Sequence, residues 1–305
     1  MKFVMFGSGG VGGYYGARLV QAGNEVVFVA RGAHAARMRE KGLSIKSETG
    51  DALISPVNVV EDPARAGDAD VIFVAVKLWD SESAANAIKP IIGPRTTVVS
   101  LQNGVDKDDV LAGAAGREHV VGGITHIGAV IAEPGVIAHT GKLQRVTLGE
   151  LAKGPPSPRV IAIVAALARA KIEAVASDDI VKATWEKFVF LTSLSDMTAL
   201  TRKPVGPVRD NPATRAMLRD ALEETAAVAR AEGVPLAEDL PEKQLKMIDG
   251  LNPAMTSSMA QDLARGKRLE LEWLSGAVVR RGEARGQKTP VHRAIHAALV
   301  LHANP

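Results

Sequence analysis

The 305-residue chain has no cysteine, which excludes disulfides, thiol nucleophiles and thiolate-bound metals, although the absence fits any redox compartment. Aromatic residues are few: three Trp, two Tyr and six Phe. Excess charge is also small, 37 Lys and Arg against 34 Asp and Glu, with no dense basic block interleaved with aromatics. A pI of about 9.1 therefore points to small anionic ligands, and no nucleic-acid partner is expected. No apolar run approaches the ~20 residues that cross a bilayer, so no membrane partner is expected either. A first strand that begins at residue 2 leaves no room for a secretory leader, and the expected location is cytoplasmic. What the chain does have is 46% hydrophobic residues, enough to bury ordinary cores, and a length that favours two domains over one.

Glycine is plentiful, and its most telling use is at the start. The apolar run Lys2–Phe6 has strand length and is followed by Gly7-Ser8-Gly9-Gly10-Val11-Gly12 and then by the helix-like stretch from Tyr14 to Val20. A strand, a tight turn and a helix start in that order suit a dinucleotide pyrophosphate. Gly7 permits the turn, Gly9 lets backbone N–H groups approach phosphate, and Gly12 lets the helix pack closely on the strand. The helix N-terminus adds partial positive charge. The second strand, Glu25–Ala30, ends in Arg31, where an NAD-preferring site carries an acid for the ribose 2′-hydroxyl. A guanidinium there suits a 2′-phosphate, so NADP (NADPH) is the expected cofactor; the competing reading is a solvated arginine at a strand end.

The first half continues as alternating strand and helix. Residues 69–76 read as a buried parallel strand, 83–92 as a helix and 96–101 as another strand. Segments rich in β-formers follow at 119–130, 135–140 and 145–149, then a Pro-rich loop at 154–158, a helix at 159–170 and a last strand at 171–176. From Asp178 the pattern turns helical: a helix spans about 179–200, and Asn211-Pro212, Asn252-Pro253 and Thr289-Pro290 each read as a helix start. The expected fold is α/β, an N-terminal Rossmann-type doubly wound sheet (1–177) followed by an all-helical C-terminal domain (178–305), with a ligand cleft between them. An apolar helical domain also permits a homodimer.

Three groups of residues are placed to act in such a cleft. Lys77 and Asn103, the latter in Gln102-Asn103-Gly104, each follow a strand at the edge where a dinucleotide lies; either also reads as an ordinary loop residue. Lys187 lies in an otherwise apolar helix, where Thr184, Lys187, Leu191, Ser195 and Thr198 recur at spacings of three and four and share one face. Its ammonium either snorkels to water or faces a polar cleft. His292 and His296 stand four apart, but no third ligand is evident and no metal site is expected. His126 and His139 read as packing or hydrogen-bonding residues.

The glycine motif, Arg31, Val76-Lys77, Gln102-Asn103-Gly104, Trp185-x-Lys187, Ser257-Ser258-Met259-x-Gln261-Asp262 and Glu270, in that order, resemble the ketopantoate reductases (2-dehydropantoate 2-reductases). The serine motif with a glutamate twelve residues after its second serine is specific, as is Gly276-Ala-Val-Val-Arg-Arg-Gly282 with Thr289-Pro290-Val291 beyond it. The resemblance implies NADPH-dependent reduction of 2-dehydropantoate to pantoate, on the pantothenate branch towards coenzyme A. It makes Lys187 the general acid, Asn103 a contact to cofactor and substrate, Ser258 the contact to the substrate carboxylate, and Glu270 the neighbour of cofactor and lysine. A lysine suits the chemistry, because a positive donor stabilises the alkoxide that forms on hydride transfer and supplies its proton. Read on their own, Glu270 is a surface acid at a helix start and Ser258 a helix-packing hydroxyl.

The chain departs from the family pattern where asparagines follow the lysine. Leu191 and Ser195 stand four and eight residues after Lys187, and Val205 occupies a third such position. Ser195 can still hydrogen-bond a substrate oxygen, whereas Leu191 offers apolar surface only. The alternatives are a reductase of a different 2-oxo acid with the same fold, a 3-hydroxy acid or opine dehydrogenase, and a non-catalytic NADP-binding protein.

Overall fold

The structure is a computed structural model that describes residues 1–304. Its first compact unit comprises residues 1–103 and 107–180. In chain order it contains β1 (Lys2–Phe6), α1 (Gly10–Gln21), β2 (Glu25–Val29), α2 (Gly32–Lys41), β3 (Leu43–Ser47), β4 (Ala52–Ile54), β5 (Val59–Val60), β6 (Val71–Val74), α3 (Ser81–Ala87), β7 (Thr97–Ser100), α4 (Lys107–Ala115), β8 (Val120–Glu133), β9 (Val136–Glu150), α5 (Pro158–Arg169) and β10 (Glu173–Ala176). The strands form one sheet in the order β4-β3-β9-β8-β7-β6-β1-β2-β5, with β10 paired to β9. From β5 to β8 every neighbouring pair is parallel. The long antiparallel hairpin β8–β9 then extends the sheet, interrupted by register shifts at Ile127/Gly128 and Ile131/Glu133.

Alternation along β1 shows why both faces are covered. Phe3 and Met5 enter one core with Tyr14, Tyr15, Met38 and Ile163, while Val4 and Phe6 enter another with Ala84, Ala85 and Leu111. Successive strand side chains point to opposite faces, so a strand apolar at four successive positions, Phe3 to Phe6, needs helices on both sides. α1, α2 and α5 therefore pack on one face and α3 and α4 on the other. This doubly wound core matches the sequence-based fold; the β8–β9 hairpin merges segments that read as separate in the sequence. The helix expected at 83–92 is shorter, since Pro90 has no N–H to continue it and residues 89–91 tighten into a 3-10 turn.

The second unit, among the described residues 104–106 and 181–304, is helical. It holds nearly all of α6 (Ile180–Thr201), then α7 (Val205–Asp210), α8 (Pro212–Ala231), α9 (Leu240–Asp249), α10 (Ser258–Ala264), α11 (Ser275–Ala284) and α12 (Pro290–Leu299). α6 runs 22 residues without Gly or Pro and ends where Arg202 takes a φ of 53° and Pro204 follows. Asn211 caps α8 through Oδ1, which accepts from the Ala213 and Thr214 N–H groups at 3.0 and 3.3 Å, with Pro212 in the first turn. One core gathers Phe188, Leu194, Met197, Leu218, Leu222 and Ile295 from α6, α8 and α12.

One helix start is corrected. Asn252-Pro253 does not begin a helix: Asn252 Oδ1 accepts from Ala254 N–H at 3.0 Å, and Met255 N–H closes a turn on Asn252 O at 2.9 Å. The Pro253 and Met255 carbonyls instead accept from Gly206 and Val205 N–H, both at 2.9 Å, satisfying the start of α7. The helix begins at Ser258, after the Ser257 cap.

Candidate active site

The glycine turn leaves β1 beside the end of β6, at the carboxyl edge of the parallel strands. Gly7 has a φ of 95°, and a Cβ there would lie 2.8 Å from Val76 N. A Cβ on Gly10 would lie 2.0 Å from Ala129 O, and one on Gly12 2.2 Å from Gly7 O. Backbone atoms cannot yield that space, so the chain itself requires glycine at all three positions. Gly9 is different. Its φ of −73° suits any residue, and a Cβ there would meet nothing within 4 Å. Ser8 is buried and its hydroxyl donates to Met5 O and Val29 O, so it braces the turn against β1 and β2. Val11 is half-buried on the first turn of α1 and packs against the core beneath.

A residue not singled out in the sequence also holds this turn. His34 on α2 accepts the Gly135 N–H at Nδ1, 3.0 Å, which leaves the proton on Nε2 to donate to Ser8 O at 2.9 Å. Burial lowers its pKa below the usual imidazole value, against the raising effect of the Ser8 bond, so the neutral ring that this pattern needs is favoured. Nothing in the sequence around His34 signals a contact 101 residues away in the chain.

Arg31 is exposed at the N-cap of α2, immediately beyond β2. Lys77 is exposed beyond β6, its ammonium 5.5 Å from the Trp79 ring centroid. Asn103 is half-buried after β7, next to Gln102, whose amide donates to Ser81 Oγ at 2.7 Å and accepts from Ser100 Oγ at 3.0 Å. The turn, Arg31, Lys77 and Asn103 thus share one edge of the sheet, the edge at which open α/β sheets bind ligands.

In the helical unit, Lys187 and Leu191 are half-buried on α6, one turn apart, whereas Ser195 is 1% exposed, so the substrate contact expected of its hydroxyl is corrected: the side chain is packed inside the unit and faces no open site. Gln244 of α9 donates to the Glu186 carbonyl beside Lys187 at 2.6 Å. Ser258 is exposed at the first position of α10, which removes the reading of it as a packing hydroxyl; that role falls to Ser257. Glu270 is half-buried at the cap of a 3-10 turn, 271–273, and its carbonyl accepts from Leu274 N–H at 3.2 Å. Val205 is fully buried in the helical core, so its side chain lines no open site in this unit.

The two C-terminal histidines do not converge. His292 is fully buried, with Nδ1 3.0 Å from Asp196 Oδ2 and Nε2 2.8 Å from Thr225 Oγ1, whereas His296 Nε2 lies 2.8 Å from Glu272 Oε1. Burial alone would pull the His292 pKa down, but the Asp196 hydrogen bond and charge outweigh it and hold it above the usual value. Burial pushes the Asp196 carboxyl up as well, so the pair as a whole retains its proton. This buried pair was missed in the sequence; the signal was an acid, Asp196, on the inner side of an apolar helix. His139, read as a hydrogen-bonding residue, bonds to Ser47 Oγ at 2.8 Å and Leu143 O at 3.0 Å.

Comparison with known proteins covers both units. The family described as "Ketopantoate reductase PanE/ApbA" matches residues 3–153, and its C-terminal counterpart matches residues 179–302. A 2-dehydropantoate 2-reductase of Halobacterium salinarum is 33% identical, over 97% of this chain and 96% of its own length. An uncharacterized oxidoreductase of Bacillus subtilis is 30% identical over 99% of both chains. Among solved structures, a PanE/ApbA family ketopantoate reductase from Ralstonia eutropha JMP134 has a TM-score of 0.91 at 34% identity, covering 99% of this chain and 98% of that one.

Proposed function

Because the chain belongs to the ketopantoate reductase family of nicotinamide-dependent oxidoreductases, we propose that it reduces 2-dehydropantoate to pantoate with NADPH. The observation that carries this reading is Gly9. It is the one glycine of the turn whose absent side chain relieves no contact within the protein, which fits space reserved for a bound phosphate at the N-terminus of α1. The first N–H groups of that helix have no partner within it and suit the pyrophosphate of a dinucleotide. Gly7 to Gly12, Arg31, Lys77, Asn103 and Glu270 are the proposed cofactor contacts, with Arg31 free to pair bidentately with a 2′-phosphate.

When bound, a reduced nicotinamide would supply a hydride to the ketone carbon. Lys187 then acts at the carbonyl oxygen: its Nζ stabilises the negative charge that develops there and gives up one proton, so the ketone becomes an alcohol and the amine regains its proton from solvent. Ser258, exposed on α10, is the proposed contact to the substrate carboxylate, and the half-buried Asn103 is the proposed hydrogen-bonding group that orients the substrate. Glu270 is the proposed carboxylate that fixes the lysine.

Leu191 favours a second reading at the level of the substrate. It sits one turn from Lys187, half-buried, and provides apolar surface where a hydrogen-bonding residue would recognise a hydroxyl. A 2-oxo acid without the terminal hydroxyl of ketopantoate fits that position. Steady-state kinetics with NADPH, comparing ketopantoate with 2-oxoisovalerate and other branched 2-oxo acids, tests both readings. The highest kcat/KM is expected for ketopantoate. A preference for an acid lacking the hydroxyl would replace the substrate and keep the reaction, and no NADPH oxidation with any of them would overturn the enzyme reading.

A further inference from the structure

Thr198 and Ser257 meet in the helical unit with their hydroxyl oxygens 2.9 Å apart, and neither is among the proposed substrate contacts. Thr198 is fully buried on α6, and its one proton has Ser257 Oγ, Leu194 O at 2.8 Å and Ser195 O at 3.3 Å within reach. Ser257 is 7% exposed and caps α10, its Oγ accepting from Ala260 N–H at 3.1 Å. The same serine oxygen thus joins the first turn of α10 to a threonine on α6, the helix that carries Lys187 and Ser195.

α10 has only seven residues, too few to hold its own conformation, so its start must be fixed from outside. Two anchors do this. The segment before it is tied to α7 through the Pro253 and Met255 carbonyls, where a Cβ on Gly206 would already lie 2.8 Å from Pro253 Cβ. The cap itself is tied to α6 through Thr198. Ser258 is the next residue, and the first beyond the second anchor to be exposed.

We infer that Thr198 and Ser257 are positioning residues, whose hydroxyl bridge holds Ser258 in register with the face of α6 that bears Lys187. The inference rests on the proposed role of Ser258 as the carboxylate contact. The bridge acts through another residue and touches no reacting atom, so its loss weakens ground-state binding of the 2-oxo acid more than it slows hydride transfer.

A double-mutant cycle on NADPH-dependent ketopantoate reduction tests it. Thr198→Val keeps the side-chain shape and removes the hydroxyl; it is expected to raise the KM for ketopantoate roughly 3- to 10-fold, the weight of one hydrogen bond, with kcat changed less than about twofold. Thr198→Ser, which keeps the hydroxyl, is expected to restore the KM. In a Ser258→Ala background, Thr198→Val is expected to add almost nothing, because the group it positions is already gone. An equal rise in KM in both backgrounds would overturn the coupling and leave only a general structural role. A silent Ser258→Ala would refute the carboxylate contact itself and, with it, any positioning of that contact.

Discussion

Replacing Gly9 by alanine separates what the fold needs from what a ligand needs. The new methyl would find no protein atom within 4 Å, and a φ of −73° with a ψ of −156° is open to alanine. Folding stability should therefore hold or rise by up to ~1 kcal/mol, since alanine narrows the unfolded ensemble. Cofactor binding should suffer, because the methyl occupies the approach to the free N–H groups of α1. Losing one charge-assisted hydrogen bond costs about 1.5–3 kcal/mol, roughly a 10- to 100-fold rise in Kd for NADPH. Gly12→Ala is the reverse control. Its Cβ would lie 2.2 Å from Gly7 O, so the turn and α1 must separate, at about 1–3 kcal/mol of overpacking. Thermal melts without ligand and fluorescence titration with NADPH decide the matter. Gly9→Ala should melt like the unaltered protein and bind poorly, while Gly12→Ala should melt several degrees lower. Wild-type affinity in Gly9→Ala, or a melting point as low as that of Gly12→Ala, would refute the reasoning.

Two further predictions concern charge. Arg31→Ala should weaken NADPH by roughly 10-fold or more and leave NADH almost unaffected, because only the former has a phosphate for the guanidinium; equal effects on both, measured by titration, would count against NADP preference. His292, fully buried, and His34, half-buried, should tilt the pH profile of melting temperature in opposite directions. The raised pKa of His292 gives a contribution complete below the unfolded value of 6.5 and lost as the pH rises through the native value. The lowered pKa of His34 gives one complete above 6.5 and lost as the pH falls through the native value. His292→Gln should accordingly flatten the alkaline limb and His34→Gln the acid limb; a profile parallel to the unaltered protein in either case would contradict the assignment.

Local patterns made the glycine turn, the longer strands and the starts of α1, α5, α6, α8 and α12 legible in the sequence, whereas the short strands β3, β4 and β5 and the helices α2, α4, α7, α9 and α11 were not. β1 is apolar from Phe3 to Phe6, which requires cover on both faces, and Asn211-Pro212 starts the helix that its sequence announces. Asn252-Pro253 carries the same dipeptide but is spent on a turn whose carbonyls serve α7, a demand set by residues almost fifty positions earlier. The site divides in the same way. Lys187 and its face follow from helical spacing alone, whereas His34 on Ser8, Thr198 on Ser257 and Asp196 on His292 are pairings between distant segments. No periodicity within one segment can announce such a partner. The serine motif illustrates the boundary: its two hydroxyls look equivalent in sequence, and packing makes Ser257 a buried cap and Ser258 an exposed group.

Lys187 is the proposed proton donor to the reduced carbonyl, and single-turnover hydride transfer to ketopantoate with saturating NADPH tests that role most directly. Lys187→Ala is predicted to slow that step by roughly 100- to 10,000-fold while NADPH still binds. An unchanged single-turnover rate in the variant would contradict it.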